Sequence, residues 1–267
     1  MKRLAENAAR NLTAVREQKP LIHNITNYVV MNYTANALLA MGASPVMAHA
    51  PNEVEEMVSF AGALVLNIGT LSDDWVASMI KAGKRASAAA IPIVLDPVGS
   101  GATALRTGAA KSIIQETRVS VIRGNASEVL SLRHENSKTK GVDAIHSVEA
   151  AAGSAAILAD ELGCVLAITG PTDLITDGQQ VIRVFNGHPL MRYVTGTGCT
   201  ATAAIGAFLA VDRNPVSAAA TALAFFGLAG EVAAENASAP GSFMIAMLDA
   251  LYTITPEKLR KGCRFEV

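Results

Sequence analysis

The residues able to do chemistry fall at the ends of short apolar runs. Asn67 and Gly69 close AGALVLNIG, and Asp96 follows Ile-Val-Leu in IPIVLDPVG. Arg123 and Asn125 close RVSVIRGN, and Thr169 and Gly170 close CVLAITG. An amide, a carboxylate, a guanidinium and a hydroxyl on four successive runs exceed chance polarity and suggest a row of groups along one edge. Thr195-Gly196-Thr197-Gly198-Cys199 then opens a helical stretch. Two glycines there let the backbone approach a ligand closely. The free N–H groups of the first turn, with the positive end of the helix dipole behind them, form an anion site. A glycine-rich loop before a buried helix would read the same way, and taken alone that plainer reading is favoured. The segment lacks Walker A register, and no G-x-G-x-x-G follows an early strand.

Each of these residues has a bland role beside the chemical one. Cys199, at a helix start, is expected to have its thiol pKa lowered by the dipole, whereas Cys164 and Cys263 read as small buried hydrophobes. Asp96 is costly to bury unpaired. It serves either the Asp-Pro turn or a magnesium ion held through water. Glu128, three residues after Asn125, is either the first-turn partner of an Asn cap or part of a metal site. Histidines 23, 49, 134, 146 and 188 form no H-E-x-x-H and no i, i+4 pair. No metal site and no Ser-His-Asp triad is assigned to them.

The elements that must position these groups alternate in type. Strands are expected over 61–69, 91–99, 118–125 and 164–170, and helices over 71–90, 107–116 and 147–162. Segments 173–176 and 180–185 flank Asp177-Gly178, a hairpin signal. Two helices follow, over 200–211 and 215–235. Alternating strands and helices predict an α/β fold, with a mostly parallel sheet covered on both faces. Strands that are apolar throughout agree with that burial. Ligands of such sheets bind beyond the carboxyl ends of the strands. The polar stretch 133–142 reads as an exposed loop too short for a linker, so one continuous domain over 1–267 is expected.

Composition narrows the class. The chain has 267 residues, 22 Lys+Arg against 23 Asp+Glu, 51% hydrophobic and 17% charged residues. The balanced charge argues against a nucleic-acid partner, and the apolar content excludes a disordered chain. A mean hydropathy of +0.32 raises the question of a membrane span. The longest charge-free segments near the C-terminus, 195–211 and 215–230, are rich in Ala, Gly, Ser and Thr, so they read as close-packed buried helices. The first residues do not read as a signal peptide. Three scattered cysteines without a C-x-x-C pair fit a reducing cytoplasm.

Several runs together resemble one family nearly end to end. They are Pro20-Leu21-Ile22-His23-Asn24-Ile25-Thr26-Asn27-Tyr28-Val29, Gly42-Ala43-Ser44-Pro45-Val46-Met47, Leu66-Asn67-Ile68-Gly69-Thr70 and Leu95-Asp96-Pro97-Val98-Gly99. Ile122-Arg123-Gly124-Asn125-Ala126-Ser127-Glu128, Ile168-Thr169-Gly170 and Gly196-Thr197-Gly198-Cys199 complete the set. The chain resembles the hydroxyethylthiazole kinases of the ribokinase-like superfamily. The last two runs are shared across that superfamily, and the run around 23–27 with the Cys-ending motif points to the thiazole kinases.

The resemblance implies a ribokinase-like three-layer αβα sandwich. It implies ATP- and Mg²⁺-dependent phosphorylation of the primary alcohol of 4-methyl-5-(2-hydroxyethyl)thiazole, for thiamine synthesis. By the same resemblance Met47 and Gly196 contact the thiazole, and Arg123 and Thr169 contact ATP. Asn125 and Glu128 match an N-x-x-E motif that organises magnesium and phosphate. The resemblance also implies a homotrimer with sites between subunits, which brings the region 24–47 near a partner's site. One departure from the wider superfamily stands out: Cys199 occupies the place where most sugar kinases have an Asp base. Phosphoryl transfer depends mainly on positioning and charge. The segment carrying Gly196, Thr197, Gly198 and Cys199 is therefore expected to act first as an anion hole, with proton removal by Cys199 secondary.

Overall fold

The computed structural model describes residues 1–133 and 148–267. In chain order the elements are α1 (Lys2–Gln18), β1 (Leu21–Ile25), α2 (Met31–Met41), β2 (Ser44–Val46), α3 (Val54–Ser59), β3 (Ala63–Asn67) and α4 (Asp73–Ala88). Then come β4 (Ile93–Asp96), α5 (Ala104–Glu116), β5 (Val121–Gly124), α6 (Ala126–Leu130), α7 (Val148–Leu162), β6 (Val165–Ile168), β7 (Asp173–Thr176) and β8 (Val181–Val184). A short 3₁₀ turn (Pro189–Tyr193) precedes α8 (Thr197–Leu209), α9 (Pro215–Glu235), α10 (Pro240–Thr253), α11 (Pro256–Gly262) and β9 (Phe265–Glu266). The loop expected over 133–142 lies, from 134 onward, outside the described residues.

One sheet of nine strands runs in the order β2-β1-β3-β4-β5-β6-β7-β8-β9. The pairings from β2 through β6 are parallel, and the last three are antiparallel. The expected hairpin is β7–β8, paired Thr176 to Val181 around Asp177-Gly178. Alternate strand residues face opposite layers, as the pleat requires. Ala63, Val65, Val94 and Val121 join one core with α1, α2, α8, α9 and α10. Leu64, Leu66, Ile93, Leu95 and Ile122 join the other with α3, α4, α5 and α7. The result is a three-layer αβα sandwich.

The Ala- and Gly-rich composition has its explanation in α8 and α9. A Cβ on Gly206 of α8 would stand 2.7 Å from Val65 Cγ2 of β3, so α8 lies as close to the sheet as a helix can. Helix Pro215–Glu235 is long and apolar enough to cross a membrane, yet 89% of its apolar window is buried inside the protein. It is a core helix, as its small residues suggest.

The structure adds elements that periodicity did not reveal: α1, β1, α2, β2, α3, α6, α10, α11 and β9. Helix α8 also begins three residues earlier than the expected residue 200, so the Gly-Thr-Gly-Cys motif lies at and within its first turn.

Candidate active site

The four strand-end groups belong to neighbouring strands and touch in sequence. Asn67 and Asp96 are register partners on β3 and β4, and Asn67 Nδ2 donates to Asp96 Oδ2 at 2.8 Å. Arg123 Nη1 on β5 lies 3.7 Å from the same oxygen. Arg123 Nη2 donates at 2.6 Å to Oγ1 of Thr169, just past β6. The row expected along one edge is thus a continuous chain of amide, carboxylate, guanidinium and hydroxyl.

The start of α8 closes over this row. Gly196 is its N-cap at φ +85°, in the left-handed region where only glycine is unstrained. No side chain caps the helix, so the N–H groups of Gly198 and Cys199 have no intrahelical acceptor. An ideal Cβ on Gly198 would stand 2.6 Å from Arg123 Nη1. The guanidinium therefore lies flat against the helix start, in the space that the missing side chain leaves. Cationic group and helix N-terminus converge on one point.

Burial sets the charge states. Asp96 is fully buried. Its carboxyl is pushed up to about 6 by desolvation, against the pull of Arg123 and the hydrogen bond from Thr202, while Glu128 nearby raises it further. Thr202 Oγ1 donates to Asp96 Oδ2 at 2.8 Å, and Asp96 Oδ1 is buried without a partner. Cys199 departs from the expected behaviour. Its thiol is raised to about 11, first by burial and then by the Asp96 charge, with Asn67, Asn27 and Arg123 opposing. Burial and the neighbouring carboxylate favour the neutral thiol, so Cys199 carries its proton at neutral pH.

Glu128 takes the capping part expected of it. Asn125 Oδ1 accepts from Glu128 N–H and Glu128 Oε2 accepts from Asn125 N–H, a complete capping box on α6. Glu128 Oε1 accepts from Gly99 N–H at 2.9 Å, which ties the loop after Asp96 to α6. Met47 lies just past the edge strand β2, part-buried, and is not among the residues lining the main cleft.

That cleft, about 550 Å³, opens on the other side of Arg123. Arg123, Thr169, Thr197 and Gly198 are among its polar lining, and Leu223, Phe226 and Pro189 are among its apolar lining. Asp173, at the start of β7, also lines it; burial raises its carboxyl to about 6. A phosphate-bearing ligand with a flat apolar group suits such a shape.

Residues missed from sequence include Asn27, whose Nδ2 lies 3.5 Å from Cys199 Sγ, and Thr202. Arg106 was missed as well. Its guanidinium donates to the carbonyls of Ile68, Val98 and Gly69 at 3.1, 2.8 and 2.8 Å, clamping the loops after β3 and β4. Spacing gives no sign of Arg106 or Thr202. Asn27 stood only in the quoted 20–29 run.

Comparison with known proteins gives the family and the fold. The model of the hydroxyethylthiazole kinase family matches residues 12–257. A hydroxyethylthiazole kinase of Desulfotalea psychrophila is 67% identical over 266 residues, covering 100% of this chain and 97% of that one. The solved structure of the Pyrococcus horikoshii hydroxyethylthiazole kinase superposes with a TM-score of 0.90 at 45% identity, covering 97% of this chain and 98% of that one. A ribokinase-like superfamily protein of Enterococcus faecalis shares the fold, with a TM-score of 0.64 at 14% identity over 96% of this chain and 95% of that one. With the family model spanning most of its length, the chain belongs to the hydroxyethylthiazole kinase family.

Proposed function

We propose that this edge transfers the γ-phosphoryl group of ATP to the primary alcohol of 4-methyl-5-(2-hydroxyethyl)thiazole. The products are the thiazole phosphate, ADP and a proton, and the phosphate feeds thiamine synthesis. The observation that carries the reading is the placement of Arg123, held between Asp96, Thr169 and the bare start of α8. ATP occupies the 550 Å³ cleft, its base toward Leu223 and Phe226 and its phosphates toward Arg123 and Thr169. The γ-phosphoryl meets the N–H groups of Gly198 and Cys199, with Thr197 opening the turn. Donors fixed where charge develops lower the barrier without having to reorganise. The thiazole lies on the far side of that turn, against Gly196 and, across a subunit boundary, Met47, whose thioether conforms to a small apolar ring.

The acidic groups fit a hydrated magnesium ion. Asp96 has a buried oxygen without a partner, and Asp96 and Glu128 are close enough to repel. Both Glu128 oxygens already accept backbone N–H groups, so Glu128 would act through water, as magnesium permits. No group of three or more His, Cys, Asp or Glu able to form a protein cage occurs among the described residues. Magnesium bound with ATP would offset phosphate charge.

The homotrimer draws support from an apolar face on α2 and α10, where Leu39 and Ile245 are each 60% exposed and Tyr252 is 71% exposed. Such a patch suits a subunit contact. Residues 1–267 form a single kinase domain on this reading. Three unbridged thiols suit a cytoplasmic setting. The test is ADP release from ATP and Mg²⁺ with hydroxyethylthiazole, hydroxymethylpyrimidine or pyridoxal as acceptor. Strong preference for the thiazole is expected. Preference for another alcohol would discard the substrate assignment, and ATP binding without turnover would point to a regulator.

A further inference from the structure

The buried amides beside Cys199 have one consistent orientation, and it fixes the polarity of the thiol. Asp96 Oδ2 is an acceptor, so the Asn67 atom 2.8 Å from it must be the Nδ2 donor. That choice turns Asn67 Oδ1 the other way, where Gly69 N–H donates to it at 3.0 Å. Asn27 must then present its Nδ2 to Asn67 Oδ1, at 2.7 Å. An amide nitrogen carries two hydrogens. One serves Asn67, and the other faces Cys199 Sγ at 3.5 Å.

The chain has little freedom to rearrange. Asn27, Asn67 and Asp96 are 5%, 2% and 0% exposed, and a Cβ on Gly69 would stand 2.6 Å from Asn27 Nδ2. The Asp96 carboxylate thus dictates, through two amides, that the sulfur accepts on its Asn27 side.

We infer that Asn27 is a positioning residue that donates to Cys199 Sγ and so turns the thiol hydrogen toward the reacting alcohol, making Cys199 a hydrogen-bond donor to the substrate oxygen. This rests on the kinase reading given above. The thiol keeps its proton throughout, and its S–H bond orients the alcohol oxygen so that a lone pair faces the phosphorus.

The test uses Asn27→Leu, which keeps the branched outline of the side chain and removes the donor. The first readout is the rate at which iodoacetamide alkylates Cys199 at pH 8 without substrates, followed on the Cys199 peptide by mass spectrometry. Loss of a hydrogen bond to sulfur disfavours the thiolate, so alkylation is expected to slow about tenfold, the equivalent of one pK unit. An unchanged or faster rate overturns the inference, and this readout does not depend on turnover, so it fails separately from the kinase reading. The second readout is a double-mutant cycle on kcat. Asn27→Leu should lower kcat about tenfold alone but less than about twofold when Cys199→Ala is already present, because its effect runs through the sulfur. Equal losses in both backgrounds would mean that Asn27 acts structurally or by another route. Gly69→Ala, which presses Asn27 Nδ2 aside without removing it, gives the same two signatures if Asn27→Leu fails to fold.

Discussion

Gly198→Ala separates the stability of this protein from its activity. The added Cβ would stand 2.6 Å from Arg123 Nη1, 3.0 Å from Nη2 and 3.2 Å from Cζ. Relief requires the guanidinium to withdraw by close to an ångström. Because it is the far end of a flexible side chain, the fold itself has little to resist. Within a helix, alanine is favoured over glycine by about 0.5–1 kcal/mol, which offsets the crowding. The melting temperature is therefore expected to stay within about 4 °C of the parent. Activity should not survive so well. The shift takes Arg123 off Thr169, now 2.6 Å away, and away from the start of α8. Losing one preorganised donor at a developing charge costs about 3–4 kcal/mol, or roughly 10²–10³ in kcat. The assay is coupled ADP release at saturating ATP and thiazole, with a thermal melt on the same sample. A kcat within about threefold of the parent would refute the idea that Arg123 must lie against the helix start. A melting temperature lowered by more than about 8 °C would refute the packing argument.

Other perturbations separate the remaining parts. Thr169→Val keeps the shape but removes the acceptor for Arg123; a hydrogen bond to a charged group contributes about 1.5–3 kcal/mol, so KM for ATP should rise at least about tenfold while KM for the thiazole stays put, and equal rises in both would contradict the assignment. Cys199→Ala should retain a measurable part of the activity, because the anion hole remains; a folded variant slowed by more than about 10⁴ would require the sulfur to be the essential base. Asp173 provides a test by pH. Its carboxyl is raised from 3.8 to about 6 by burial, so the folded state holds that proton more tightly than the unfolded one, and stability falls as pH rises between these values. Above pH 6 the penalty is fully present, at most roughly 3 kcal/mol. Asp173→Asn should therefore melt several degrees above the parent at pH 8 and level with it below pH 4; melts at both values check this, and an offset independent of pH would remove burial of the charge as its cause.

How much of this was legible in the sequence depended on range. Strands β3 to β6 announced themselves because burial on both faces leaves them apolar throughout, and the polar residue ending each run marked the working edge. The first strand did not, since LIHNI mixes polar and apolar residues, and β2 has only three residues with no period to read. Their absence from the reading hid the neighbourhood of Asn27, which meets Cys199 from 172 positions away only because β1 sits beside β3 in the sheet. Helix α1, charged and amphipathic, packs one stripe on the core, and no site motif drew notice to it. The expectation for Cys199 erred for a different reason. A helix start lowers a thiol pKa when the thiol is solvated, but here burial raises it, and burial depth is a property of the fold rather than of the motif.

The most direct test of the account follows the phosphoryl group itself. ATP labelled in its γ-phosphate is incubated with Mg²⁺ and the thiazole alcohol, using the parent and Arg123→Ala side by side, and the label is located by chromatography. Label is expected on the thiazole phosphate with the parent, and at least about a hundredfold less with a folded Arg123→Ala. Label found only in inorganic phosphate, or equal transfer by both proteins, would contradict it.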